Sequence, residues 1–107
     1  MQAFEIADLI AQRAQSSKSY LEFLRVPAMS MGLYTLKAGA TDLQSPHSED
    51  EAYYIVRGRA KIRVADEDRE VQPGSIVYVA KQVPHKFHSI TEDLQILVFF
   101  APEETDP

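Results

Sequence analysis

An all-β sandwich or barrel with one N-terminal α-helix is the fold this sequence predicts, on three observations. From Tyr20 onward, short runs of aromatic and β-branched residues alternate with turn formers. The spacing of those breaks leaves no room for βαβ crossovers. Only residues 3–16 repeat their apolar positions at helical spacing. A chain of 107 residues builds one domain around one core.

The helix rests on Phe4, Ala7, Ile10, Ala11 and Ala14, with Glu5 and Asp8 early and Arg13 and Lys18 late, where the helix dipole favours them. It ends near Ser16-Ser17, so residues 1–19 form an amphipathic helical segment. Its apolar stripe needs a surface to cover, either the outside of the main body or a partner subunit. Strands are predicted over Tyr20–Val26, Met29–Leu36, Glu51–Arg57, Ala60–Val64, Ser75–Val79, His85–Ile90 and Leu94–Phe100. The breakers are Pro27, Lys37-Ala38-Gly39, Ser45-Pro46, Gly58, Asp66-Glu67-Asp68, Pro73-Gly74 and Pro84. Residues 20–101 therefore make the barrel, and the acidic, proline-bounded tail 102–107 is expected to fray. The run Leu94 to Phe100 is apolar on both faces, so its outer face needs the helix or a second subunit, and a homodimer is expected.

Composition narrows the function classes. An apolar share of 45% beside 25% charged residues is ordinary for a soluble globular protein. No apolar run approaches membrane-spanning length and no basic, apolar signal peptide opens the chain, so the reading is cytoplasmic with no membrane partner. A formal net charge of -5 disfavours nucleic acid. Arg57, Arg59, Lys61 and Arg63 alternate as a solvent-facing strand edge does. With no cysteine, histidine and carboxylate are the strong metal ligands that remain.

The chemistry-bearing set is His47, Glu51 and His85. On one continuous strand His47 and Glu51 would stand about 13 Å apart and could not share an ion. If Ser48-Glu49-Asp50 is a turn, His47 closes one strand, Glu51 opens the next, and both side chains converge to ligand distance. Strand alternation puts Glu51, Tyr53 and Ile55 on one face, and His85 with Phe87 on one face of a later strand, with His88 opposite. Tyr53 and Phe87 are thus the pocket candidates, although barrel interiors are filled by such side chains in any case. Taken singly, each histidine is an ordinary surface or turn residue. Their joint register is what points to a metal.

That register resembles the two motifs of the cupin superfamily. Gly39, Ser45, His47, Glu51 and Gly58 fall on the first, G-x5-H-x-H-x3-E-x6-G, and Gly74, Ala80, Gln82, His85 and Ser89 on the second, G-x5-P-x-G-x2-H-x3-N. The resemblance implies a jelly-roll barrel, the double-stranded β-helix, with a divalent metal held by His47, Glu51 and His85. Ser45 stands where the family has its first histidine, and a hydroxyl is a poor ligand for such an ion. The neighbouring amide oxygen of Gln44 is ranked above it as the fourth ligand, with Asp42 a more distant option.

Two histidines and a carboxylate with open positions suit non-haem iron oxygenase chemistry, and equally Mn, Ni, Co or Zn as a Lewis acid. The expected function is a metal-binding small cupin acting on a small polar organic molecule, with dioxygenase-type chemistry as first choice. The alternative is a non-enzymatic module that binds a small ligand, with a structural metal or none. No catalytic residue is assigned.

Overall fold

Alternating apolar and polar residues become strands wherever one face can turn inward, and the computed structural model, which describes residues 1–44 and 46–105, shows this throughout. Helix α1 (Ile6–Ala14) is followed by β1 (Tyr20–Val26), β2 (Met29–Leu36), β3 (Asp50–Val64), β4 (Glu67–Val71), β5 (Ile76–Val79) and β6 (His85–Ala101). All pairings are antiparallel, in the order β1-β2-β6-β3-β4, with β5 also on β3. The first part of β3 (Glu51–Tyr54) pairs with β5 and its last part (Ala60–Val64) with β4, while β6 runs along its other side. The sheet rolls into a jelly-roll barrel around Tyr53, Ile55, Ile62, Val79, Phe87, Leu94, Ile96 and Val98.

Two predicted chain breaks are bulges within long strands. The runs on either side of Gly58 form one 15-residue strand, and those on either side of Thr91-Glu92-Asp93 form one of 17 residues. The pairing of β3 with β6 shifts between Ile55 and Arg57, between Arg57 and Arg59, and between Arg59 and Lys61. Each bulge reverses which side chains face inward. On β3 the buried positions pass from Glu51, Tyr53 and Ile55 to Ala60 and Ile62, and on β6 from His85 and Phe87 to Ile90, Leu94 and Ile96. Gly58 makes the first reversal possible. Its φ is +96°, and a Cβ there would sit 2.3 Å from the carbonyl oxygen of Asp93.

Other expectations are corrected. The turn predicted at Asp66-Glu67-Asp68 falls at Ala65-Asp66, and Glu67–Val71 is strand β4, hidden from sequence reading because four of its five residues are exposed. His47 does not close a strand; it lies outside the strands, three residues before β3 begins. The helix is shorter than 3–16: Glu5, with extended backbone, is its N-cap and Gln15 its C-cap. Its inward side is Ile6, Leu9, Ile10 and Arg13, and Ala7, Ala11 and Ala14 face outward.

The helix and the segment before it cover the outer face of β1, β2 and β6. Leu9, Phe23, Met31, Leu97 and Phe99 line the groove between them. Phe4 stacks on Phe23 with ring centroids 4.9 Å apart. Arg57, Arg59, Lys61 and Arg63 are all exposed, on the outward side of β3. Among the described residues no helix is long and apolar enough to cross a membrane.

Gly58→Ala is expected to lower the unfolding free energy by about 2–4 kcal/mol, since it adds both a strained backbone and a backbone clash. Urea denaturation followed by circular dichroism reads the loss, and an unchanged midpoint would contradict the bulge assignment.

Candidate metal centre

The inward stripe of β3 begins with an acid. Glu51 is 3% exposed and occupies a position that would otherwise continue the apolar set of Tyr53 and Ile55. His85 stands likewise ahead of Phe87 on β6 and is 7% exposed. His47 comes from the segment before β3, where its carbonyl accepts the backbone N–H of Gln82 at 2.7 Å. Ligand atoms of all three lie within 4.8 Å of one another.

Both histidines turn the same nitrogen inward. His85 Nε2 is 2.8 Å from Glu51 Oε1, while its Nδ1 lies 2.9 Å from the carbonyl of Val83, an acceptor that requires the proton on Nδ1. His47 Nε2 is 3.9 Å from the same carboxylate oxygen and 3.3 Å from Gln44 Oε1. Burial pulls the His85 imidazole pKa down, but Glu51 and the Val83 carbonyl outweigh it and the net shift is upward.

At 2.8 Å the Glu51 and His85 atoms form an ion-pair contact, but with the Nδ1 proton committed to Val83 a neutral His85 has only a lone pair on Nε2 to face the carboxylate. Both carboxylate oxygens of Glu51 and Nε2 of His85 are buried with no hydrogen-bond partner among the described residues. Buried polar atoms left in this state are costly unless a third body satisfies them together. A divalent cation bound by two imidazole nitrogens, a carboxylate and an amide oxygen meets that requirement, and the nitrogen and oxygen donors suit Fe, Mn, Ni, Co or Zn.

Gln44 reaches the cluster because Asp42 holds it. Gln44 Nε2 donates to Asp42 Oδ2 at 2.9 Å, which turns Oε1 toward His47 and the hydroxyl of Tyr53, 3.2 Å away. Asp42 itself is 5% exposed and also accepts the Tyr34 hydroxyl and the backbone N–H of Phe87, both at 2.9 Å. Its carboxylate is committed to three donors, so it organises the site and does not ligate. Ser45 lies outside the described residues.

Tyr53 and Phe87 do not line the cavity beside the cluster. Both are buried in the core, with rings 5.0 Å apart, and Tyr53 supports His85 from below at 6.0 Å. Burial drives the Tyr53 hydroxyl pKa well up, and the charge of Glu51 adds to it. The cavity, about 160 Å³, is walled by Tyr20, Tyr34, Gln44, His47, Val98, Phe100 and Glu104. The Tyr20 ring crosses Gly32, where a Cβ would overlap it at 2.1 Å. Its buried hydroxyl has no hydrogen-bond partner among the described residues.

Two acids here were read differently from sequence. Glu104, in the tail expected to fray, is 5% exposed and places Oε2 3.3 Å from His47 Nδ1. Burial, reinforced by the charges of Glu51, Glu22 and Glu49, pushes its carboxyl up to about 7. Glu49, placed by the sequence in a polar turn, is 4% exposed and accepts the hydroxyls of Ser48 and Thr105. Those bonds hold its pKa down against its own burial. The acidic composition of the tail masked the role of Glu104, and the exposed-looking run Ser48-Glu49-Asp50 that of Glu49, since no local period marks a residue that docks at long range. His88 is on the surface as expected, 2.8 Å from Asp68.

Residues 32–100 match the family model described as cupin domain. Over 105 residues the chain is 52% identical to the uncharacterized protein SCO3923 of Streptomyces coelicolor, spanning 98% of this chain and 100% of that one. TT1209 from Thermus thermophilus has a solved structure similar at TM-score 0.76 and 20% identity, over 96% of this chain and 99% of that one. An RmlC-like cupin from Shewanella frigidimarina is similar at TM-score 0.71 and 16% identity, over 78% of this chain and 74% of that one. At these identities the structural likeness speaks for the fold alone.

Two substitutions probe the polar frame in opposite directions. Asp42→Ala strands three donors, the Phe87 N–H buried and the Tyr34 and Gln44 groups half-buried, and is expected to cost about 3–5 kcal/mol in chemical denaturation. Tyr20→Phe removes an unpartnered buried hydroxyl and is expected to be neutral or to stabilise by about 1 kcal/mol. A marked loss on Tyr20→Phe would mean that the hydroxyl is satisfied.

Proposed function

Because the chain belongs to the cupin family, we propose that it is a mononuclear metal-dependent cupin acting on a small polar organic molecule, with dioxygenase-type chemistry. The observation that carries this reading is the set of orphaned buried atoms, Glu51 Oε1 and Oε2 with His85 Nε2, facing His47 Nε2 and Gln44 Oε1. His47, Glu51 and His85 would hold the ion, and Gln44, one residue before the position where the family motif has a histidine, would supply a neutral fourth donor. A divalent metal in that place supplies Lewis-acid polarisation and, when redox-active, electrons for oxygen chemistry.

The chain's own residues set what is bound. A cavity of about 160 Å³ is well below the several hundred Å³ of sites for larger ligands, so the substrate is small. Val98, Phe100 and the ring of Tyr34 give it apolar walls. The Tyr20 hydroxyl is a buried donor with no partner among the described residues, available to an oxygen of the bound molecule. Asp42 keeps the Gln44 oxygen facing His47 and Tyr53.

The same reading places the protein in the cytoplasm as a homodimer. Dimerisation is supported by exposed apolar side chains on β5 and its neighbour in β3, with Ile76 74%, Tyr78 63% and Tyr54 39% exposed.

Elemental analysis of protein purified without chelator is expected to find close to one equivalent of Fe, Mn, Ni, Co or Zn per chain. His85→Ala and His47→Ala should each lose most of it while keeping the strand signal in circular dichroism. A wild-type chain that stays metal-free after reconstitution with each ion would overturn the reading. Oxygen uptake across catechols, thiols and diketones then tests the reaction, and metal binding without turnover would favour the ligand-binding module. Light scattering on an eluting column reads the dimer directly.

A further inference from the structure

We propose that Glu104, brought to the site by the C-terminal tail, is a positioning carboxylate that accepts the Nδ1–H of His47 and so commits Nε2 of that ring to the metal. This rests on the metal reading above and adds to it a residue outside both motifs.

The ring orientation makes the case. His47 Nε2 faces Glu51 Oε1 and Gln44 Oε1, while Nδ1 on the opposite edge faces Glu104 Oε2 at 3.3 Å. Phe100 packs edge-on against the imidazole with centroids 4.9 Å apart, which restrains its rotation. The second histidine already follows this rule, with Nδ1 held by the Val83 carbonyl and Nε2 inward. A ligating imidazole generally needs such an acceptor behind it to fix the tautomer and raise its basicity. For His47 the acceptor is a buried carboxylate.

Glu104 is held in place by atoms other than its own carboxylate. Its backbone N–H donates to Ser30 Oγ at 2.9 Å, and Ser30 is wholly buried. Its carbonyl accepts from Arg25 Nη2 at 2.6 Å. The next residue, Thr105, donates its hydroxyl to Glu49 Oε2 at 2.8 Å. Substituting the Glu104 side chain therefore leaves the tail anchored, and loosening the tail at Thr105 leaves the carboxylate chemistry intact. Positioning and mere anchoring can thus be told apart.

The experiment is a chelator-competition titration of Zn²⁺ into the full chain as wild type, Glu104→Ala, Glu104→Gln and Thr105→Val, with thermal melts beside it. Glu104→Ala is expected to weaken Zn²⁺ affinity by about 10–100-fold. Glu104→Gln, whose amide oxygen can still accept the Nδ1–H, should fall between Ala and wild type, and Thr105→Val should stay within about threefold of wild type. In the zinc-loaded wild type, NMR should show a downfield, slowly exchanging Nδ1–H of His47 that Glu104→Ala loses. Wild type that binds Zn²⁺ with Glu104→Ala equal to it overturns the positioning role alone. A Glu104→Ala protein that loses affinity yet keeps the Nδ1–H signal also overturns it. Wild type that binds none of the candidate metals overturns the metal reading itself.

Discussion

A carboxylate buried on an apolar stripe is the constraint around which this molecule is arranged. Glu51 follows the same inward alternation as Tyr53 and Ile55, so the rolling of β3 carries it inside along with the core. An ionised carboxylate there is tolerable only if positive or hydrogen-bonding groups meet it. His85 and His47 arrive at it from two other parts of the chain, yet neither saturates it. The unsatisfied remainder is what makes this barrel end a candidate coordination site.

Around that carboxylate the polar groups form a hierarchy. Asp42 is saturated by three donors and acts on the centre only through Gln44, whose amide it orients. The Val83 carbonyl stands behind His85 within hydrogen-bond reach of Nδ1, and the Glu104 carboxylate lies 3.3 Å from Nδ1 of His47. Tyr53 lies beneath, its hydroxyl bonded to Gln44 and its ring against Phe87. Each of these contacts fixes the direction of a side chain that the centre uses, which is how a small barrel with one layer of core builds a rigid site.

The backbone irregularities serve the same end. Without the bulge at Gly58, the inward set of β3 would continue on odd-numbered residues and present Arg59, Lys61 and Arg63 to the core in place of Ala60 and Ile62. The bulged long strands also bend, and bending is what lets a single sheet close on itself. His85 pairs with Val64 at the far end of β3, thirteen residues beyond Glu51. In a flat sheet those residues would lie roughly 40 Å apart. In the rolled one their side chains are 2.8 Å apart.

Much of this was legible in the chain alone. Ligand chemistry and spacing singled out His47, Glu51 and His85 as candidates, the family resemblance added Gln44, and alternation placed Tyr53 and Phe87 inward, because strand periodicity and ligand chemistry are local properties. Alternation by itself could not separate cavity wall from packed core, and Tyr53 and Phe87 prove to be core. Nor could it see that Gly58 bends a strand where a break was expected, or that exposed Glu67–Val71 is a strand, since β4 offers no apolar face to detect. Glu104 was beyond local reading altogether: it docks through Ser30 and Arg25, which lie 74 and 79 residues away in sequence. The sequence by itself determined which side chains have ligand chemistry and which way Glu51 and His85 point from their strands. Only the tertiary structure decided that they converge, and what stands behind them, because curvature and closure arise from pairings between distant segments that no local pattern encodes.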